Sequence, residues 1–430
     1  MKSKTQILTL GLTALFALSA QAEPVSYTLN ECIAIGLERA VPVQNAMRDQ
    51  GIADASMKKA RSEALPQVEL SATYTRNDGT GAPFVPGEIK RDSYSAAATV
   101  TQKLYSGGKL FSAIRAAKAY RGFTAQTTTQ TEAELIRNIH IGFNGILLAQ
   151  ANVAVQEASI KQLEDFAEQT EQKYKVGTAS EFDRLTAQVR LANEKPNLIV
   201  ARNDLAIAKE AFRNLIVLDE EVFQLDGALD YEPFDDALPV LQQTASAARP
   251  ELLAQEQSLA LRRENLKSAW SGYKPTVTAS AVYSQENPDR YDNTRDQWEA
   301  HWQANIAANW TLFDGGRRRG EVLEKGLELA KEEADRDDLR RSVFLDVKAA
   351  WLTMMAAREA IKGSEENVEL AEKALEIAKT RTDAGLSTYL EFTDSNLSLN
   401  TARLTHFQAL EKHLSAVAQL KYAAGILELE

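Results

Sequence analysis

Four histidines, a single cysteine and widely spread carboxylates are the side chains from which this chain would have to build catalytic or metal chemistry. None stands at a spacing such chemistry needs. There is no HExxH pair, no GxSxG elbow, no phosphate-binding loop ending in Lys-Ser/Thr, and no cysteine cluster. His406 and His413 form the one regular pair, seven residues apart on a helical pattern. With no third ligand in sight, they read as two residues on one helix face and not as a metal site. Gly107-Gly108 and Gly315-Gly316 lack the P-loop pattern, and a backbone turning sharply where no side chain fits accounts for them. Asp183, Glu391 and Asp394 sit just inside two expected turns, where acids complement the helix dipole. The reading is a protein that is not an enzyme and needs no cofactor or metal.

The elements around these residues occur twice. Leu104-Tyr105-Ser106-Gly107-Gly108-Lys109 returns as Leu312-Phe313-Asp314-Gly315-Gly316-Arg317, Val41-Pro42 as Arg249-Pro250, Pro66-Gln67-Val68 as Pro275-Thr276-Val277, and Val176-Gly177 as Ala384-Gly385. Each pair is 208 or 209 positions apart, so one unit has been duplicated. Within Gln67 to Arg76, Val68, Leu70, Ala72 and Tyr74 alternate with polar residues. From His301 to Leu312, Trp302, Ala304, Ile306, Ala308 and Trp310 do the same. Trp302 and Trp310 lie about 25 Å apart along an extended chain, near the height of a membrane barrel's apolar band. Val68, Leu70, Tyr74, Trp302, Ile306 and Trp310 are therefore expected on a lipid face. Four strands cannot close a barrel alone, so either no barrel forms or several chains share one.

From Lys109 to Val176 and from Arg317 to Ala384 there is no proline, and each stretch would make roughly 100 Å of helix. Ile146, Ala149, Val153, Ile160, Leu163, Ala167 and Thr170 form a coiled-coil seam. In the second rod Ile361, Val368, Ala371, Leu375 and Ala378 form one stripe, with Leu370, Ala374 and Ile377 beside it. Two stripes call for two neighbours, as in a cylinder of helices. The expected division is a secretory signal peptide at 1–22, a first repeat at 23–218, a connecting segment at 219–244 and a second repeat at 245–430. The first repeat holds strands near 66–76 and 94–104 and helices near 109–176 and 180–217. The second holds strands near 275–285 and 301–312 and helices near 317–384 and 388–425. With 60 acidic against 49 basic residues, the chain is a poor partner for nucleic acid and would bias a water-filled interior toward cations.

In the order and duplicate spacing of the two Gly-Gly corners, the Ala248-Arg249-Pro250-Glu251-Leu252 segment, and the tips Tyr174-Lys175-Val176-Gly177 and Asp383-Ala384-Gly385, the chain resembles the TolC-like outer-membrane efflux proteins over nearly its whole mature length. The resemblance implies a mixed α and β membrane channel. In it a homotrimer shares one transmembrane β-barrel, four strands per chain, continuing into a long periplasmic α-helical barrel, with 219–244 as an equatorial segment. It implies outer-membrane lipid, a periplasmic adaptor and an inner-membrane pump of RND, ABC or MFS type as partners. The tips Val176, Gly177, Thr178, Ala179, Ser180, Ala384, Gly385, Leu386 and Thr388 would dock the adaptor. Glu391 and Asp394 match the paired acids that ring the family's periplasmic constriction, with glutamate here in the first place. Thr382 and Ser387 occupy the positions of a tyrosine and an arginine that lock the gate in the best-known members, and neither can make an equivalent charged contact. Arg381 and Asp183 are the candidates to replace them. The alternative from another class is a periplasmic coiled-coil protein that never enters the membrane.

Overall fold

The computed structural model describes residues 25–76, 92–287, 297–384, 386 and 389–427. The expected signal peptide lies outside them. The chain opens with a short strand, β1 (Val25–Tyr27), then α1 (Leu29–Arg39), α2 (Val41–Ser62), β2 (Gln67–Arg76), β3 (Asp92–Tyr105), α3 (Lys109–Lys175) and α4 (Glu181–Ile216). After β4 (Phe223–Leu225), the second half repeats the plan with α5 (Leu238–Ala248), α6 (Pro250–Ser271), β5 (Thr276–Asn287), β6 (Glu299–Asn309), α7 (Arg317–Asp383) and α8 (Tyr389–Ala424). Helices of 11, 22, 67 and 36 residues occur in that order in both halves. Among the described residues no helix is long and apolar enough to cross a membrane.

The duplication extends into the core. One apolar cluster joins Ile33, Leu135, Ile139, Ile146 and Phe212, and a second joins Leu241, Val343, Val347, Met354 and Leu420. Each member of the second lies 208 positions after its counterpart, so the same packing solution is built twice at mid-height. Beside the first, β1 pairs in parallel with β4. Near the second, Arg249 is almost fully buried, bonds Glu251 through two nitrogens at 3.0 and 2.7 Å, and donates to the carbonyl of Ala423 at 3.2 Å. Burial pushes the Glu251 carboxyl up, but the hydrogen bonds from Arg249 outweigh it and hold the group below its ordinary range. Glu251 and Glu134 also accept from the Tyr422 hydroxyl, which ties α3, α6 and α8 together.

The long helices form a wall one helix thick. Next to the strands, α3 packs between α2 and α6, and α6 leads on to α7; toward the other end, α3 packs between α4 and α8, and α8 leads on to α7. The second stripe on α7 thus faces outward, with Leu370 and Ile377 exposed, and along α4 so are Phe182, Leu185, Val189 and Ile199. Pro196 lies inside α4, where it removes one helical hydrogen bond without ending the helix.

The four long strands form one antiparallel sheet in the order β2-β3-β5-β6. The two hairpins are joined by β3 and β5, and β2 and β6 are left as open edges. At each strand-to-helix corner the two glycines take positive φ, Gly107 and Gly108 at 66° and 96°, Gly315 and Gly316 at 67° and 91°, a region that a side chain disfavours. The Ser106 hydroxyl accepts from Leu110 N–H at 3.1 Å. In its place Asp314 accepts from the N–H of Gly316 and of Arg318, both at 3.2 Å.

Candidate functional site

Two surfaces carry the sequence-predicted residues: the sheet face at one end and the helical tips roughly 100 Å away along the rods. On the sheet, Leu70 pairs with Ala98, Ala98 with Tyr283 and Tyr283 with Trp302, giving an apolar row across all four strands. Val68 opposite Val100, Tyr74 opposite Tyr94, and Ile306 opposite Ala279 lie on the same face. Val68, Leu70, Tyr74, Trp302, Ile306 and Trp310 are all exposed. Tyr74, Tyr94 and Trp298 cluster at one rim. At the other rim the Trp310 indole donates to the Tyr273 carbonyl at 3.1 Å, and the Tyr273 ring lies tilted against that of Trp270. The opposite face carries Glu69, Thr99, Gln303 and Asn305. An apolar band bounded by two aromatic rims is the pattern that membrane barrels present to lipid.

At the first tip α3 runs out at Lys175. The Lys173 carbonyl accepts from Thr178 N–H at 2.8 Å, Thr178 Oγ1 at 3.1 Å and Ala179 N–H at 3.2 Å. Gly177, at φ 77°, reverses the chain, and a Cβ there would meet only open space. Val176 and Ser180 are exposed at the turn. Ser180 caps α4: its hydroxyl accepts from Asp183 N–H, and the Asp183 carboxylate accepts from the Ser180 N–H and hydroxyl at 3.1 and 2.6 Å. The structure thus turns Asp183 onto its own helix end. Arg184 lies over the Tyr174 ring at 5.1 Å and reaches Glu171 and Glu181, both at 3.7 Å. Sequence reasoning passed over Tyr174 and Arg184 as a pair, although an arginine one turn inside a cap, beside a tyrosine one turn before the tip, was a readable signal.

The second tip is made differently. Arg381 reaches across the turn to Glu391 at 3.9 Å, both side chains about half exposed. Thr382 is buried and donates to the Ala378 carbonyl at 2.8 Å. Leu386 N–H closes the turn on the Arg381 carbonyl at 2.8 Å. Ala384 and Leu386 are exposed, and so is Asp394, one turn after Glu391. Gly385, Ser387 and Thr388 lie outside the described residues. Above the tips Phe392 stacks on Phe166 with centroids 4.6 Å apart. Higher still, Asn396 donates to Gln162, and Asn400 to Ser159 at 2.7 Å. These contacts between helices more than two hundred residues apart in sequence bind one hairpin to the other, and no local pattern announced them. His406 meets Ser364 at 3.1 Å, whereas His413 is buried against the Glu232 carbonyl at 2.8 Å. The two histidines serve separate contacts.

Comparison with known proteins agrees with this geometry. The family model described as outer membrane efflux protein matches residues 36–216 and 241–426, one match in each repeat. The outer membrane protein TolC of Vibrio cholerae is 26% identical over 379 residues, covering 86% of this chain and 84% of that protein. TolC of Escherichia coli is 24% identical, covering 90% and 79%. Among solved structures, the outer membrane protein VceC of Vibrio cholerae superposes with a TM-score of 0.78 at 18% identity, covering 92% of this chain and 96% of that one. The chain belongs to the outer membrane efflux protein family, and is a non-enzymatic outer-membrane exit channel for efflux or secretion that extends into the periplasm.

Proposed function

We propose that three copies of this chain close into one tube, and that the tips form a narrow, acidic periplasmic entrance to which an adaptor docks. The observation that carries this reading is the pair of unfilled edges. The helical wall ends on one side in α2 and α4 and on the other in α7, and the exposed Phe182, Leu185 and Val189 of α4 and Leu370 and Ile377 of α7 give each edge an apolar stripe. The sheet ends in β2 and β6, both unpaired along their outer sides. Edges of this kind are covered in a working protein, and three four-stranded sheets joined edge to edge make twelve strands, enough for a closed barrel. In this assembly residues 23–218 and 245–430 act as the two repeats and 219–244 as the equatorial link between them.

Glu391 and Asp394 then line the constriction. One helical turn apart on α8, they repeat three times around the axis, and crowded carboxylates attract multivalent cations. Arg381 partly neutralises the ring through Glu391, which makes it the candidate that holds the entrance closed, with Asp183, Thr382 and Ser387 as its neighbours at the tips. Val176, Gly177, Thr178, Ala179, Ser180, Ala384, Gly385, Leu386 and Thr388 form the docking surface for a periplasmic adaptor coupled to an inner-membrane pump of RND, ABC or MFS type.

Two measurements test this. In a Cys32→Ala background, cysteines at Leu185 on α4 and Ile377 on α7 should cross-link under oxidation into a covalent trimer. Monomer alone would remove the edge-to-edge closure. In a planar bilayer the channel should be cation-selective and blocked by divalent cations from the periplasmic side, and Glu391→Ala with Asp394→Ala should abolish the block while sparing the trimer. A block that survives would place these acids elsewhere.

A further inference from the structure

Close under the sheet, a groove of about 690 Å³ between α2, α3 and α6 gathers Arg115, Lys118 and Arg121 from α3 with Arg263 and Lys267 from α6. Two carboxylates share it. Asp54 meets Arg121 at 2.6 Å, and Glu264 meets Arg115 at 2.8 Å and Lys267 at 2.7 Å. Arg263 reaches out to Glu333 on α7 at 3.8 Å. Lys118 is exposed and, among the described residues, joins no ion pair. The groove therefore keeps an excess of positive charge, in a chain whose formal net charge is −11.

Aromatic neighbours fix which way the groove opens. Phe111 stands four residues before Arg115, and Trp270 three after Lys267, so each shares a helix face with the cation named. Both are exposed, at 64% and 54%. The Trp270 ring lies 5.6 Å from Tyr273, whose carbonyl receives the Trp310 indole N–H, and Trp310 continues the row of Ile306 and Ala308 on the lipid face. The groove thus lies on the outside of the tube, directly beneath the lower aromatic rim. Arg115 and Lys118 are about 9 and 14 Å along α3 from Lys109, and Lys267 and Arg263 about 6 and 12 Å from the end of α6, so the two deeper cations depend on the length of their side chains to reach the headgroup layer. The polar layer of a bilayer extends roughly 5 to 7 Å beyond its hydrocarbon, and long basic side chains can reach up into it.

We propose that this groove holds the phosphate headgroup of an anionic phospholipid from the periplasmic leaflet, with Lys118 and Arg263 as its principal contacts and Phe111 and Trp270 against the acyl region. A lysine supplies a point charge and an arginine a two-pronged donor, the usual pairing on phosphate oxygens. The site ties the top of the helical tube to the membrane at a fixed height.

Native mass spectrometry of the full-length, detergent-purified protein, titrated with phosphatidylglycerol, phosphatidylcholine or inorganic phosphate, tests the assignment. Phosphatidylglycerol should be retained on the order of tenfold better than phosphatidylcholine, and Lys118→Glu with Arg263→Glu should erase that preference. The milder Lys118→Gln/Arg263→Gln pair should weaken it, and unchanged heat-modifiable mobility on gels will certify folding in both. Equal retention of the two lipids, or a preference untouched in both folded variants, overturns the proposal. Displacement of phosphatidylglycerol by millimolar inorganic phosphate would assign the groove to a free anion and overturn it equally.

Discussion

The two strand-to-helix corners share one backbone to within a few degrees of φ, yet their surroundings differ. A Cβ on Gly107 would lie 2.7 Å from the Ser271 carbonyl oxygen and 2.9 Å from Lys274, whereas one on Gly315 would meet nothing within 4 Å. Ser271 ends α6, and the residue 208 positions before it, Glu63, follows the end of α2, on the far side of the wall from α7. The tips diverge further. The first is tied within itself by the Ser180–Asp183 capping box and by Arg184 on Tyr174, while the second is bridged across its turn by Arg381 and Glu391 at 3.9 Å. Duplication has kept the backbone where a strand must become a helix. It has let the side chains drift where the tube meets its surroundings.

The largest expected effect tests whether the two repeats share a lipid face. Ile306→Arg in the second repeat and Ala98→Arg at its counterpart in the first should each cost about 2 to 4 kcal/mol of insertion and sharply lower the membrane-inserted trimer. Asn309→Arg, on the opposite face, should do far less. A harmless Ala98→Arg in a membrane-fractionation assay would break the equivalence.

Next come the corners. Gly107→Ala and Gly315→Ala each place a side chain at positive φ, at a cost of roughly 1 to 2 kcal/mol, and Gly107→Ala adds a clash with backbone. If a neighbouring copy's α2 fills at Gly315 the place Ser271 fills at Gly107, both variants should lower the dissociation temperature of the trimer alike. Should Gly315→Ala prove much the milder, the ring closes with another contact there.

The smallest effects belong to the tips. Ser180→Ala should cost about 1 kcal/mol and speed amide exchange in the first turn of α4 roughly fivefold, without touching α8. Arg381→Gln, which removes a half-exposed pair, should change stability by less than about 1 kcal/mol while altering conductance at the entrance. A large loss of stability in the second variant would mean that its tip is held as firmly as the first.

Much of the fold was legible because long proline-free seams and alternating strands leave strong periodic signals. β2 and β6 alternate cleanly. β3 reads Ser-Ala-Ala-Ala-Thr through its centre, small on both faces, so its alternation is faint although it lies in the middle of the sheet. Alternation also fixes only which face a residue takes, not which strand lies beside it, and the joining of β3 to β5 was out of reach. At the tips, the placing of Asp183, Glu391 and Asp394 just inside the two turns was readable from the sequence. The Phe166–Phe392 stack and the Asn396 and Asn400 bonds were not, since each needs two residues brought together from opposite halves of the chain.

That junction has a consequence for how the molecule comes into being. Ala98 of β3 finds its partner, Tyr283 of β5, nearly two hundred residues later, and pairings so distant in sequence form slowly. As the chain is delivered from its N-terminus, the first hairpin must wait with one edge of β3 unpaired until the whole of α3 and α4 has followed and the second hairpin arrives. A fragment ending anywhere before β5 has no way to complete the sheet. The tube is therefore the product of the finished chain, and until its second half arrives the open edge of β3 can pair with another chain instead.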